Sequence, residues 1–338
     1  MTLSLDTNLS AIQGGLSTWA EALRSIGSLV EQVERIQVDQ TSSPPALVRM
    51  ITDFEALRRL GQDWTLGLRP TLVATVPGAI DSYAASFRTH AKTALSALEG
   101  KVHPVVARAR VRQELAILDS ELAAHLEGTR AADAYLRQFM TSLDQTVEAI
   151  DTNGRQAVAE VDLDEERLGR ILAELNHLIG AASNGKTMVD FLLIGQSSGG
   201  SPVVDVLGNL NPATFMVRSW YKIYRLFGGK DPTDQTRRNI EDLRRKRDSM
   251  SNEQRRVAGL RLIHRQIAPL VDSGRAAVHA SSQIVNFWAV FQTKQESVVR
   301  AIAQSAAADV AGLVRMHLNA GARAWEQLAA YARSLKIP

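Results

Sequence analysis

The chain has 338 residues, of which 45% are hydrophobic and 5% aromatic, with 22 glycines, 10 prolines and no cysteine. This apolar fraction is enough to build a core and excludes a disordered or collagen-like chain. The lack of cysteine excludes disulfides, cysteine-ligated metal sites and thiol nucleophiles. The formal net charge of +3 is too small to give the whole chain a positive electrostatic potential that would attract nucleic acid. No nucleic-acid partner is therefore expected.

The first eight residues carry neither lysine nor arginine and no apolar run of signal-peptide length. We therefore expect a soluble protein made without a classical signal peptide. The uncharged stretch of residues 191–204 is 14 residues long and contains three glycines and a proline. Because a membrane-spanning helix needs about 20 apolar residues, no ordinary transmembrane helix is expected.

Two coiled-coil seams dominate the first half of the chain. In the first seam apolar residues recur at alternating steps of three and four, which is the spacing of a coiled-coil interface. The second seam follows the same alternation with one extra residue near its end. The second seam predicts one continuous helix of about 60 Å. The first seam consists of Leu9, Ile12, Leu16, Trp19, Leu23, Ile26, Val30 and Val33; the second consists of Val111, Leu115, Leu118, Leu122, His125, Thr129, Ala132, Leu136, Phe139, Leu143, Val147 and Ile150.

Further helices are predicted where proline, a helix breaker, does not intervene. The spacing predicts helices over residues 50–68, 71–98, 158–179, 233–267 and 271–335, the last interrupted near Ser281 and Ser282. Between Pro104 and Pro202 lie 97 residues without proline. The predicted fold is therefore all-α: an elongated antiparallel bundle of long coiled-coil helices with a short apolar hairpin head.

The predicted head centres on residues 187–217, which hold only two charges, Asp190 and Asp205. Its middle is a turn-forming sequence around Gly199, Gly200 and Pro202. We interpret the arms as membrane-inserting, although packing as an ordinary buried hairpin is the alternative. The arm residues are Met188, Phe191, Leu192, Leu193, Ile194, Val203, Val204, Val206, Leu207, Leu210, Phe215, Met216 and Val217.

A mixed aromatic and basic segment follows directly. Trp and Tyr are typical of membrane interfaces, where Lys and Arg find lipid phosphates. The predicted interface residues are Arg218, Trp220, Tyr221, Lys222, Tyr224, Arg225 and Phe227. The alternative is a helix whose aromatic side chains face the bundle. With this border the head spans residues 180–229, and residues 1–179 and 230–338 form the helical bundle.

Positive charge continues beyond the border. Residues 218–256 contain twelve basic and six acidic residues. The interspersed acids favour a solvated, ion-paired helix face over a nucleic-acid-binding region. Attraction to anionic lipid headgroups is compatible with the same pattern.

One motif matches a phosphate-binding loop. Residues 180–187, GAASNGKT, fit G-x-x-x-x-G-K-[ST], in which Lys186 would contact phosphate. That loop requires a preceding β-strand, whereas residues 168–179 have a helical period. A nucleotide-binding protein is therefore a less favoured interpretation.

No other catalytic or metal-binding pattern emerges. The seven histidines are scattered, and none has another four residues away, so no metal site is expected. The acidic cluster of Asp162, Asp164, Glu165 and Glu166 is interpreted as favouring the N-terminal dipole of the following helix. We expect neither an enzyme nor a cofactor.

These features together resemble the helical pore-forming toxins of the cytolysin A and haemolysin BL type. The resemblance rests on the two seams, residues 187–217 and residues 218–227, and is greatest to a B component of a two-component xenorhabdolysin. It implies a secreted or released soluble monomer that inserts its hairpin in a target-cell lipid membrane. It also implies assembly with copies of itself and with a second toxin component, leading to cytolysis or haemolysis. Both hairpin arms are shorter than a bilayer-spanning helix.

Physical reasoning makes such a rearrangement feasible. If the glycine turn is kept, residues 203–227 could form one helix of about 37 Å, enough to cross a hydrocarbon core of about 30 Å. The charges of Asp205, Arg218, Lys222 and Arg225 would then have to face a lumen, a neighbouring subunit or the interface, so oligomerisation is required. The alternative function is a non-lytic helical interaction or structural protein.

Overall fold

The computed structural model describes residues 9–34, 44–99, 103–164, 166, 169, 251–304 and 307–335. Every secondary-structure element within these ranges is helical. Numbered along the described residues, the α-helices are α1 (Leu9–Glu34), α2 (Pro45–Asp63), α3 (Arg69–Thr75), α4 (Pro77–Glu99), α5 (Pro104–Glu160), α6 (Asn252–Gln304) and α7 (Ala307–Ser334). The predicted all-α bundle of long helices is confirmed.

Both predicted seams form the buried faces of their helices. In α1, every seam residue from Ile12 to Val33 is buried. In α5, all seam residues are buried except His125, which is half-buried. The 57-residue α5 exceeds the predicted seam at both ends. Strict apolar spacing therefore identified these helices because one face of each is permanently removed from water.

The helix predicted over residues 50–68 ends differently from the prediction. A π-helical turn, Trp64–Leu68, separates α2 from α3, and the Arg69 N–H bonds to the Trp64 carbonyl. Pro70 explains this insertion, because a proline ring inside a helix clashes with the carbonyl four residues earlier. A further break at Val76, ahead of Pro77, divides the helix predicted over residues 71–98.

The predicted break near Ser281 and Ser282 is wrong, because α6 continues through both serines. The Ser282 hydroxyl donates to the Val278 carbonyl at 2.8 Å, a bond made within the helix that leaves the helix continuous. Helix α6 also includes Pro269, which was expected to separate two helices. Ile267 and Val271 on either side are buried, and this packing outweighs the loss of one main-chain hydrogen bond.

The chain divides into two compact units. The first comprises Met1–Ser28, Asp63–Thr141 and Asp272–Pro338. In it α4 and α5 are antiparallel, since the Tyr83 ring contacts His125 while His90 pairs with Glu114. Helix α7 also packs antiparallel on α4, and their outer faces are joined by Asp81–Arg333 and Arg88–Glu326 ion pairs.

The second unit comprises Leu29–Gln62 and Ser142–Val271. Here the start of α2 lies against the end of α5, and the Ala46 N–H donates to the Glu160 carboxylate at 3.0 Å. Further along both helices, Asn153 accepts from Arg49 at 3.1 Å and donates to Asp53 at 2.6 Å. The start of α6 packs antiparallel against the same part of α5, as described below.

Candidate functional site

The predicted membrane-insertion and interface residues, 188–217 and 218–227, lie outside the described residues, as do the hairpin turn and the phosphate-loop match. These assignments stay predictions, as does the division into a head at 180–229 and a bundle. In the sequence, the predicted head falls between the end of α5 at Glu160 and the start of α6 at Asn252. We call residues 151–164 and 251–264 the neck; all of it belongs to the second unit.

Helix α5 ends in a left-handed residue. Asp162, which follows the last turn of α5, has a φ of +50° although it is not a glycine. The Leu163 N–H bonds to the Val158 carbonyl at 3.1 Å, and the Asp162 N–H bonds to the Ala159 carbonyl at 3.4 Å. This is a Schellman-type helix end, whose left-handed position is usually glycine because a Cβ there is strained.

The side chain of Gln254 joins the end of α5 to the start of α6. Its Nε2 donates to the carbonyls of Val161 at 2.7 Å and Asp162 at 3.1 Å. Its Oε1 accepts from the Ser251 N–H at 3.0 Å, while the Gln254 N–H donates to the Ser251 hydroxyl at 3.2 Å. Ser251 and Gln254 thus form a capping box at the start of α6, and the same amide holds the end of α5.

A charged cluster lies further along the neck. Arg261 donates to the Asp151 carboxylate at 2.7 Å, and Arg155 pairs with the same carboxylate. His264 Nδ1 lies 3.7 Å from Asp151 Oδ1, and the Arg261 and His264 side chains are each only 9% exposed. Burial alone raises the pKa of the Asp151 carboxyl, but the hydrogen bonds from Arg261 and Arg155 outweigh it and hold that pKa below its ordinary value.

An aromatic cluster fills the first unit. Its centre is Trp325 of α7, whose ring centroid lies 4.6 Å from that of Tyr83, 4.9 Å from Phe291 and 5.3 Å from Trp288. His125 stacks on Trp288 at 5.6 Å. Tilted and edge-to-face contacts of this kind add to the stabilisation from apolar burial. The members are Tyr83, Phe87, His125, Phe287, Trp288, Phe291 and Trp325.

Tyr83 carries one polar group into this cluster. Its hydroxyl donates to Gln295 Oε1 at 2.7 Å, and both side chains are buried. Burial raises the pKa of the Tyr83 phenol well above its ordinary value, with the charges of Glu121 and Asp119 adding to that effect. The phenol therefore stays protonated and acts as a structural donor.

Titratable groups border the aromatic cluster. His90 Nδ1 lies 2.6 Å from the Glu114 carboxylate, and its Nε2 lies 4.0 Å from Glu121. Burial lowers the pKa of His125, with Glu121 opposing that shift. Burial raises the pKa of Asp119, and the Glu296 charge adds to it. Burial thus disfavours the charged forms of both His125 and Asp119.

Within the described ranges, no helix combines the length and hydropathy needed to cross a membrane. The same ranges hold no group of three or more histidine or acidic residues that could bind a metal ion. The candidate site within the described residues is the neck. It comprises a strained helix end, the amide that holds it, and a buried ion-pair cluster.

Several solved structures share this fold. The chain matches the cytotoxin MakB from Vibrio cholerae with a TM-score of 0.68 and 12% identity, covering 100% of this chain and 95% of that one. It matches soluble SmhA of the tripartite α-pore-forming toxin Smh from Serratia marcescens with a TM-score of 0.65 and 13% identity, covering 99% and 94%. The AhlB pore of the tripartite α-pore-forming toxin AHL from Aeromonas hydrophila gives 0.60 and 14% identity, covering 98% and 97%.

The fold is therefore that of the helical pore-forming toxins of the cytolysin A and haemolysin BL type, as the sequence resemblance predicted. No protein-family model matches the chain, and no curated protein matches it by sequence. The narrower resemblance to a xenorhabdolysin B component stays a prediction.

Sequence reasoning missed the neck. Asp162 was expected ahead of a helix and also within the helix predicted over residues 158–179. It lies just after the C-terminal end of α5, and Glu166 and Gly169 beyond it are helical. The sequence does contain one signal for this region: residues 251–254, SNEQ, are a capping-box pattern at the start of a helix. Nothing comparable marks the pairing of Asp151 with Arg261, because 110 residues separate them.

Proposed function

We propose that this chain is a subunit of a pore-forming toxin, released as a soluble helical protein that inserts an apolar hairpin into a target membrane. The observation that carries the proposal is the fold, which matches soluble SmhA and the AhlB pore over nearly the whole chain. The hairpin sequence adds to it. Residues 187–217 hold only two charges and interrupt an otherwise polar helical sequence.

Charge dictates how insertion would proceed. A membrane-crossing helix over residues 203–227 would carry Asp205, Arg218, Lys222 and Arg225 into or beside the hydrocarbon. Such charges are costly in lipid unless they face a neighbouring subunit, a lumen or the interface. The pore is therefore built from several copies. Because each hairpin arm is short, a second toxin component is part of the proposal.

The proposed partner is the lipid bilayer of a target cell. The aromatic and basic residues 218–227 would lie at its surface, with indole and phenol rings at the headgroup level. No cofactor, metal or enzymatic activity enters this mechanism. The supporting features are residue types and their order, since these residues lie outside the described ranges.

Leakage of a dye from anionic liposomes tests the proposal. The test compares the intact chain with a variant in which residues 191–217 are replaced by a short Gly-Ser linker. A matched control exchanges the exposed, uncharged residues Gln113 and Gln138 of α5 for alanine. We expect leakage from the intact chain and the control, alone or with a second component, and none from the deletion. Leakage that survives the deletion would contradict the proposal.

The two other interpretations predict different results. A non-lytic helical interaction protein would release no dye under any condition while remaining folded. A nucleotide-binding protein would bind ATP and lose that binding on Lys186→Ala substitution. The pore proposal predicts no nucleotide binding by either form.

A further inference from the structure

The end of α5 differs from the helix that the residue spacing predicts. The residue spacing predicts a helix over 158–179, straight through Asp162, yet the helix stops there. Asp162 takes a left-handed conformation, which aspartate tolerates better than most residues with a Cβ but less well than glycine. Strain of this kind persists only where the surrounding structure imposes it. Tertiary contacts therefore help to impose the stop at Asp162.

Gln254 is placed to impose that stop. Its amide donates to the Val161 and Asp162 carbonyls, two of the acceptors that a continuing helix would direct to its own backbone N–H groups. Leu163, just past the stop, is 8% exposed and adds an apolar anchor. The same amide accepts from the Ser251 N–H, so the stop of α5 and the start of α6 depend on one side chain.

We propose that Asp162 and Gln254 form a conformational lock: while Gln254 binds the Val161 and Asp162 carbonyls α5 stops, and release of Gln254 lets α5 continue as helix beyond Asp162. The lock rests on the proposed function, in which the segment between α5 and α6 must rearrange. The strain at Asp162 favours opening, because release exchanges a strained left-handed residue for a helical one. Reclosing requires Gln254 to recapture two carbonyls.

Three substitutions distinguish the effect of backbone strain at Asp162 on the lock from the effect of losing a side chain. Asp162→Gly removes the left-handed strain and lowers helix propensity, so it should hold the lock closed. Asp162→Ala keeps the strain and raises helix propensity, so it should open the lock. Gln254→Glu keeps an acceptor for the Ser251 N–H but sets a carboxylate against two carbonyls, so it should also open the lock. Gln113→Glu, the same change on an exposed residue of α5, is the control.

Spin labels on two introduced cysteines report the opening directly. Labelling is specific because the chain has no cysteine of its own. Labels at exposed positions Glu148 and Glu166 are separated by 18 residues, which in a continuous helix corresponds to about 27 Å. Pulsed electron paramagnetic resonance measures this distance in water and after transfer to mild detergent micelles. Cooperative thermal unfolding of each labelled variant establishes that it is folded.

We expect the population with the helical distance to be at least about tenfold larger for Asp162→Ala than for Asp162→Gly, with the unsubstituted chain between them. Gln254→Glu should resemble Asp162→Ala, and Gln113→Glu the unsubstituted chain. Equal populations in all variants, or a shift in the same direction for alanine and glycine, would overturn the lock. Liposome leakage is measured separately: its absence would count against the proposed function, while the order of the label populations would still decide the lock.

Discussion

The side chain of Arg261 crosses α5 at Gly154. The Arg261 Cδ atom lies 2.6 Å from the point where a Cβ on Gly154 would stand, and its Nη1 lies 2.9 Å from that point. Backbone atoms of α5 are therefore in direct contact with the Arg261 stem, and this approach lets the guanidinium reach Asp151. A glycine inside a helix costs about 1 kcal/mol relative to alanine, so its presence here is explained by packing across the neck.

Substitution Gly154→Ala should lower the free energy of unfolding by about 1–3 kcal/mol, because the new methyl group displaces Arg261 from a buried ion pair. The matched control is Gly14→Ala in α1, where a Cβ would meet nothing within 4 Å. That change should stabilise the protein by about 1 kcal/mol. Urea denaturation measures both. Stabilisation by Gly154→Ala would show that the close contact does not exist in solution.

Helix α7 supplies a second matched pair of glycines. A Cβ on Gly321 would lie 2.6 Å from the Phe87 ring, whereas one on Gly312 would meet nothing within 4 Å. We expect Gly321→Ala to lower the melting temperature because the buried Phe87 ring must move, at a cost of about 1–3 kcal/mol. Gly312→Ala should raise it. Equal shifts for the two variants would contradict the packing of α7 on α4.

The buried hydrogen bond of Tyr83 gives a third prediction. Tyr83→Phe leaves Gln295 Oε1 buried without its donor, which should cost about 1–2 kcal/mol of unfolding free energy. Tyr135→Phe is the same chemical change at a side chain that is 59% exposed, and it should have no measurable effect. Denaturant titration of both variants makes the comparison. A loss of unfolding free energy below about 0.3 kcal/mol for Tyr83→Phe would mean that a water molecule takes the place of the tyrosine hydroxyl.

Acid should weaken the first unit. Burial lowers the pKa of His125 and of His317 below the ordinary histidine value. Below about pH 6.5 the unfolded chain therefore binds more protons than the folded chain, so stability is full above that pH and falls as the pH drops through the folded-state pKa values.

The variant His125→Gln isolates one of these contributions. The protonated form of His125 is disfavoured by burial beside Trp288, and glutamine at this position does not titrate. Between about pH 7 and 5 the unfolding free energy of the variant should fall less steeply than that of the unsubstituted chain. Parallel pH profiles would show that His125 titrates normally in the folded protein.

Periodic apolar sequence predicted much of the bundle. Leu16, Trp19 and Ile26 in α1, and Leu118 and Leu136 in α5, are all fully buried. These positions could be found because helical burial recurs every three or four residues and depends only on nearby sequence. The resemblance to helical pore-forming toxins followed from the same seams together with the uncharged hairpin.

Tertiary contacts determine two features of the helices that the residue spacing did not predict. Pro269 lies inside α6, where its neighbours' burial outweighs its helix-breaking tendency. Asp162 ends α5 through contacts with Gln254, 92 residues away. The apolar spacing predicted a helix through this point. Such overrides concentrate at strained or functional positions, which is why the neck could not be predicted from spacing alone.

The central claim is that the apolar hairpin enters lipid. An environment-sensitive fluorophore on a cysteine introduced at Val204, in a chain without other cysteines, tests it most directly. A second protein labelled at the exposed residue Gln138 of α5 is the control. On addition of anionic liposomes we predict that the Val204 probe shifts to the blue and is quenched by lipid-borne quenchers, while the Gln138 probe stays accessible to aqueous iodide. A Val204 probe that remains quenched only by iodide, under conditions in which the liposomes leak, would contradict the account.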